Sequence, residues 1–268
     1  MPFLYLSALF FWLILTAVPS AAAERLTISL QAPVSLQNHP VAGQAIDDTL
    51  QLLKRSFPAA AVGRNRGSSA VILQLSNVPT GPAAAPASVP AHLAPPLTLA
   101  DQSFRWHATR QGSTTLLRLQ ANSPEGVAAG LYGLLQERLR VRFIHPRQTL
   151  LPNHRRWPLA ARFSFSGSPR FPYTGFHLHT LHPMELTEQL HDPSRPGAFE
   201  EVAAYLDWLA RNGQNTFQFF LLRDVDRETW LPHARRIIAY AHSRGIRCGV
   251  EISLAMLQQQ AFQAITLL

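Results

Sequence analysis

The stretch PGAFEEVAAYLDWLARNGQNTFQFFLLRDVDRETWLPHARRIIAYAHSRGIRCGVEI, residues 196–252, decides the fold. Phe199, Val202, Leu206 and Leu209 share one helical face, and Asn212-Gly213 ends that helix. Residues 216–222 form an apolar run suited to a strand buried on both faces. Leu231, Ala234, Ile237, Ile238 and Ala241 predict the next helix, and Gly245 closes it. Residues 246–252 follow as another strand. Working outward, residues 175–180 add a strand before this stretch, and residues 256–268 carry a helical pattern after it. The sum is β-α-β-α-β-α, at a spacing that implies parallel strands. Three such units are fewer than half of an eight-stranded barrel. A three-stranded parallel sheet alone would leave both edges unpaired. The expectation is the first part of a (β/α)8 barrel, in a truncated frame or fragment.

The preceding residues read differently. Leu26, Ile28 and Leu30 alternate as a strand, and Ile46, Leu50, Leu53 and Phe57 lie on one helical face stopped by Pro58. Residues 70–75 are a short apolar strand. Prolines 79, 82, 86, 90, 95 and 96 then exclude regular structure, because each removes a donor and fixes φ. This Pro-rich insertion spans 79–96. Residues 104–109 and 115–119 predict a hairpin around Gln111-Gly112. Ser123 caps a helix with Pro124 at its first position, and Val127, Leu131, Leu134 and Leu135 form its buried face. Gly130 and Gly133 cost that helix stability, which suggests close packing against another element. Residues 141–144 are a further strand, and Pro152, Pro158 and Pro169 mark a boundary region. The expected fold class is α/β: a small α+β domain over 24–165, followed by the partial barrel over 166–268.

The first 23 residues read as an export signal. Residues 2–18 carry no charge, and Ala21-Ala22-Ala23 offers the small side chains a signal peptidase accepts. The apolar run is about 16 residues, between a signal core and a span of about 20. No Lys or Arg precedes it, so an uncleaved anchor is the alternative, and membrane contact is expected only through this segment. The expected location is periplasmic or secreted. One cysteine, Cys248, excludes an internal disulfide framework. Hydrophobic residues at 47% and charged residues at 15% exclude disorder. Lys and Arg number 24 against 16 Asp and Glu, a net charge of +8, but the cations are scattered along the sequence, so no nucleic-acid partner is expected.

Residues 103–152 resemble the small α/β domain that precedes the barrel in family 20 glycoside hydrolases and α-glucuronidases. The resemblance rests on the hairpin, on SPEGVAAGLYGLLQERL (123–139) with its G-x-x-x-G-L-Y-G-L core, and on VRFIHP (141–146). SPRFPYTGFHLHT (168–180) resembles the opening of their catalytic barrel, and NTFQFFLL (215–222) and HSRGIRCGVEI (242–252) resemble its second and third strands. The resemblance implies an exported β-hexosaminidase- or α-glucuronidase-like protein acting on a carbohydrate, without a cofactor. Two departures matter. The family 20 barrel opens with an arginine before the glycine, where this chain has Thr174. The Asp-Glu acid pair of that family follows strand four, beyond the residues given, so no catalytic residue is assigned here and the fragment is expected to be inactive.

The site candidates sit at the carboxyl ends of the expected strands, where barrel active sites form. His177 and His179 share a strand face, His182 follows, and Glu185 comes a turn later. They suit hydrogen bonds to sugar hydroxyls. The H-x-H spacing also fits a metal-dependent hydrolase, which would need further ligands; packing beneath the loops is the third possibility. Glu251 ends a buried strand, where a carboxylate is costly unless paired or in use. Trp230 is a stacking candidate for a pyranose face. Asp224, Asp226 and Glu228 are expected to complement a helix N-terminus. Cys248 is expected to be a small core residue. The alternatives to a glycosidase are a non-catalytic carbohydrate-binding protein and the metal hydrolase using His177 and His179.

Overall fold

A computed structural model describes residues 25–78, 101–178, 186–221 and 225–251. The signal segment, the Pro-rich insertion and the expected C-terminal helix lie outside these residues.

The chain is mixed α/β with parallel-rich sheets. The alternating apolar residues of β1 (Thr27–Gln31) place it centrally between β2 (Ala61–Arg64) and β3 (Val71–Leu75), parallel to both. Between β1 and β2 run α1 (Val34–Asn38) and α2 (Pro40–Ser56), the latter capped by the His39 ring. The hairpin forms as β4 (Phe104–Gln111) and β5 (Thr114–Ala121), with Gly112 at positive φ in its turn. Strand β5 lies parallel to β3, and β4 antiparallel to β5. Helix α3 (Pro124–Gly133) starts where the sequence predicts, the Ser123 Oγ accepting from Gly126 N at 2.9 Å. It widens into a π-helical turn, Leu134–Arg138, then leads to the small ribbon of β6 (Arg142–His145) and β7 (Gln148–Leu150).

Strand β8 (Phe163–Gly167) completes a six-stranded sheet of order β2-β1-β3-β5-β4-β8. The expected division at 165/166 falls close to the end of this strand. Helices α2 and α3 cover one face of this sheet and enclose the first apolar cluster, centred on Trp106, Phe57, Leu73 and Leu117. The glycines of α3 pack closely, as expected: a Cβ on Gly130 would lie 2.6 Å from Leu119, and one on Gly133 would lie 2.7 Å from the Phe104 ring.

The second sheet is all-parallel, in the order β11-β10-β9, with β9 (Gly175–Leu178), β10 (Thr216–Phe220) and β11 (Arg247–Glu251). Helices α4 (Thr187–His191) and α5 (Ala198–Arg211) connect β9 to β10, and α6 (Arg227–Ser243) connects β10 to β11. Phe217 and Phe219 point into the second apolar cluster with Leu178, Val202, Leu206, Leu209 and Ile237.

A polar network joins the two clusters. Arg211 grips Asp48 with two N–H donors, at 2.7 and 2.9 Å. The Arg244 side chain is 2% exposed. It donates to Tyr132 at 2.9 Å and to Gln44 at 3.1 Å, and its Nε forms an ion pair with Asp207 at 2.8 Å without hydrogen-bond alignment. Tyr132 donates in turn to Asp48 at 3.1 Å, and Tyr240 donates to Asp207 at 2.8 Å. Burial alone would push the Arg244 guanidinium down, yet Tyr132, Asp207 and Asp48 hold it above its ordinary value. Two arginines and two aspartates cancel, which is the condition for burying such groups. Trp208 adds a neutral link, donating to the Phe143 carbonyl at 2.9 Å.

The tyrosines of this network give a pH prediction. Burial, aided by the Asp48 carboxylate, raises the Tyr132 phenol, and burial with Asp207 raises that of Tyr240. A folded-state value above the unfolded one, about 10 for tyrosine, stabilises below that pH and is lost as pH rises through and beyond it. In a spectrophotometric titration, Tyr132→Phe should therefore remove ionisation that coincides with alkaline unfolding. Removal of a component titrating near pH 10 in the folded protein would contradict this.

Candidate functional site

Strand alternation divides the second sheet into two faces. Cross-strand register aligns His177 with Gln218 and Gln218 with Gly249, and aligns Phe220 with Glu251 one step further along. These residues face away from α5 and α6. His177, Gln218 and Glu251 are exposed and Phe220 is half-buried. Parallel sheets are ordinarily covered on both faces and so built from continuous apolar runs. Here the face opposite the helices is polar, with Thr216 and Arg247 beside the group and Gly175 and Gly249 between the side chains. Each glycine has a geometric reason. A Cβ on Gly175 would lie 1.9 Å from the Thr216 carbonyl oxygen, so glycine lets β9 approach β10. A Cβ on Gly249 would lie 3.0 Å from Gln218 Cγ, so glycine leaves room for the amide chain.

His177 Nε2 lies 3.1 Å from Glu251 Oε2. An ionised carboxylate only accepts, so Nε2 carries the proton in this contact. The imidazole also stacks over the Phe220 ring, with centroids 5.2 Å apart and planes 26° apart. The pair thus bridges the outer strands across β10, at their carboxyl ends. Its side chains are 37% and 51% exposed, so it adds little stability. What the cluster offers is chemistry: a carboxylate acceptor, an imidazole, an amide with donor and acceptor, and an aromatic edge on one surface.

The second sheet is anchored by buried polar groups. Asn215, just before β10, accepts from Thr174 N at 2.9 Å and donates to the Pro172 carbonyl at 2.9 Å, fixing the entry of β9. His191 ends α4 with its ring nitrogens 2.6 Å from the Thr187 carbonyl and 2.9 Å from that of Phe220. It pins α4 to the end of β10 beside the site. Sequence reasoning missed His191 altogether; its one signal was a histidine closing a short helical segment.

The structure places the other candidates unevenly. His177 and Glu251, named separately from the sequence, come together as partners. His179, His182, Glu185 and Asp224 lie outside the described residues. Trp230 requires a correction. It is buried in the second apolar cluster, its indole N–H donates to the Leu190 carbonyl at 3.0 Å, and its ring stacks against His191, so it presents no face to a sugar. Asp226 caps α6, accepting from Glu228 N at 3.2 Å and Thr229 Oγ1 at 2.8 Å, and the buried face of the helix runs through Trp230, Ala234, Ile237 and Ala241 with Leu231 exposed beside it. The same hydrogen bonds, from Thr229 first and then Glu228, hold the Asp226 carboxyl below its ordinary value. Cys248 packs against the second cluster, and burial pushes its thiol up to about 12, so it is protonated at neutral pH. Among the described residues, no group of three His, Cys, Asp or Glu side chains is placed to hold a metal ion.

Comparison with solved structures finds a similar fold in a glycoside hydrolase. A family GH115 4-O-methyl-α-glucuronidase, with specificity for decorated arabinogalactans, superposes with a TM-score of 0.55 at 16% identity, covering 84% of this chain and 29% of that one. An N-acetyl-β-hexosaminidase from Streptomyces plicatus gives a TM-score of 0.48 at 16% identity, covering 85% of this chain and 42% of that one. A GH20 β-N-acetylhexosaminidase from Streptomyces coelicolor A3(2) gives 0.46 at 16% identity over the same shares. This chain therefore spans well under half of these structures. No protein-family model matches it, and a search of curated proteins finds no match. The glucuronidase superposition shows a shared α/β fold.

Proposed function

We propose that the protein is an exported glycoside-hydrolase-like protein of glycan degradation, and that its second sheet is the first part of a (β/α)8 barrel. Residues 24–165 form the preceding α/β domain and residues 166–268 the barrel portion. The observation that carries this reading is the His177–Glu251 pair on the uncovered face of a parallel sheet, at the carboxyl ends of the strands. In a barrel that face turns inward, and its carboxyl-end rim is where substrates sit. A carboxylate, an imidazole and the Gln218 amide match the hydroxyls of a sugar ring, with Phe220 supplying an apolar edge. The GH115 neighbour supports a carbohydrate as the ligand.

Binding without hydrolysis is the activity expected of these residues. Glycoside hydrolysis ordinarily needs two carboxyl groups across the scissile bond. Glu251 is the only carboxylate on this face among the described residues. The test is saturation-transfer NMR with arabinogalactan oligosaccharides and chitobiose, alongside a reducing-end assay. At least one sugar should bind with no reducing ends released, and His177→Ala or Glu251→Gln should weaken binding by about tenfold, the loss of a charge-assisted hydrogen bond. Hydrolysis by the 268-residue chain, or sugar binding indifferent to both substitutions, would overturn the reading.

A further inference from the structure

Among the described residues, no helix covers the second face of the six-stranded sheet. Helices α2 and α3 cover one side, and the other side carries Arg105 and His107 from β4, Arg118 and Gln120 from β5, Gln74 from β3 and Ser164 and Ser166 from β8. Arg66 lies over the same side at Gly63, where an added Cβ would meet its Nε at 2.6 Å. None of the six strands contains an Asp or Glu. Arg118 stands directly opposite His107 and diagonally from Arg105. Grouped cations on one sheet face repel each other when no carboxylate stands between them. Among the described residues, none of the three arginines has an ion-pair partner; Arg118 donates to Gln74 at 3.0 Å, and His107 shares a hydrogen bond with Ser164 at 3.0 Å. Three of the scattered arginines thus share one face, which the linear reading did not anticipate.

A polar trough of about 660 Å³ opens at one end of this face, lined by Arg105, Gln120, Asn122, Ser103, Ser166 and Ser168. Gln120 and Ser166 flank Arg105 on the two neighbouring strands. The nearby acid, Asp101, is engaged: it accepts from Ser103 N at 2.9 Å and Asn122 Nδ2 at 3.2 Å, and the Ser103 bonds chiefly hold its carboxyl below the ordinary value.

We propose that this face is an accessory binding surface for a polysaccharide that carries uronate groups. Arg105 in the trough and Arg118 beside it supply guanidinium forks for carboxylates. The surrounding amides and hydroxyls match sugar hydroxyls along a chain. Single-stranded nucleic acid would instead use stacking platforms. The one aromatic ring nearby, that of Phe104, is turned into the packing at Gly133 and Gly167. The surface is separate from the His177–Glu251 pair and does not depend on it.

Affinity electrophoresis of the full chain through gels containing polygalacturonate tests this directly. Retardation is expected in polygalacturonate and not in its fully methyl-esterified form or in dextran. The exposed double substitution Arg105→Gln with Arg118→Gln should reduce affinity by about tenfold or more, with thermal unfolding unchanged. His177→Ala should leave this retardation intact, so failure of the accessory surface is distinguishable from failure of the sugar site. No retardation, retardation that survives the double substitution, or equal or stronger retardation by dextran sulfate or single-stranded DNA would overturn the proposal.

Discussion

Arg244→Met is expected to cost about 3–5 kcal/mol of folding stability, because it removes a buried guanidinium from a balanced network and leaves two carboxylates to one arginine. The guanidinium reaches Tyr132 on α3, Gln44 on α2 and Asp207 on α5 from the end of α6. Its loss would weaken the link between the two apolar clusters and leave Asp207 with Tyr240 and the longer Arg211 contact at 3.8 Å. Lysine should not rescue it, since one ammonium cannot reproduce a planar fork serving several elements. Urea denaturation of the two variants measures this. A loss below about 1 kcal/mol would show that the network is a solvated surface pairing rather than a buried lock.

Trp106→Ala should be comparably damaging, at about 3–5 kcal/mol, the usual cost of truncating a buried tryptophan. Trp106 is fully buried at the centre of the first cluster, and its indole N–H donates to the Gly130 carbonyl at 2.8 Å. That bond draws α3 onto β4, while Gly130 itself leaves the space for Leu119 and Phe104. Trp106→Phe keeps most of the volume and loses the donor, so it should recover a large part of the stability. Equal losses for Ala and Phe would mean that the hydrogen bond, not the packing, dominates.

Local patterns in the sequence were sufficient for much of the fold. Ser123-Pro124 announces α3 by capping chemistry, Gln111-Gly112 marks the hairpin, and the apolar faces of α5 and β10 follow from periodicity. Strands β2, β7 and β8 were not legible, because AVGR, QTL and FSFSG are too short or too weakly apolar to stand out, and pairing supplies what their composition does not. The interface network was equally hidden. Arg211 and Asp48 are 163 residues apart, and Arg244 and Gln44 are 200 apart, so only the tertiary fold makes them neighbours.

At the site, His177 and Glu251 were named from their strand ends, but neither their contact nor the exposure of Glu251 was legible. Their contact depends on the register of three parallel strands, which a single sequence does not specify. Trp230 was misread because its place near the helix start suggested exposure, whereas the buried face of α6 runs through Trp230, His233, Ala234, Ile237 and Ala241.

The central claim is that sugar binds at the His177–Glu251 pair. Imidazole-selected ¹H–¹⁵N spectra of the protein, titrated with the oligosaccharide that binds in saturation-transfer experiments, test it most directly. The His177 ring signals should shift with ligand, Glu251→Gln should suppress the shift, and the buried His233 ring should stay unchanged. A sugar that binds while His177 remains silent would contradict it.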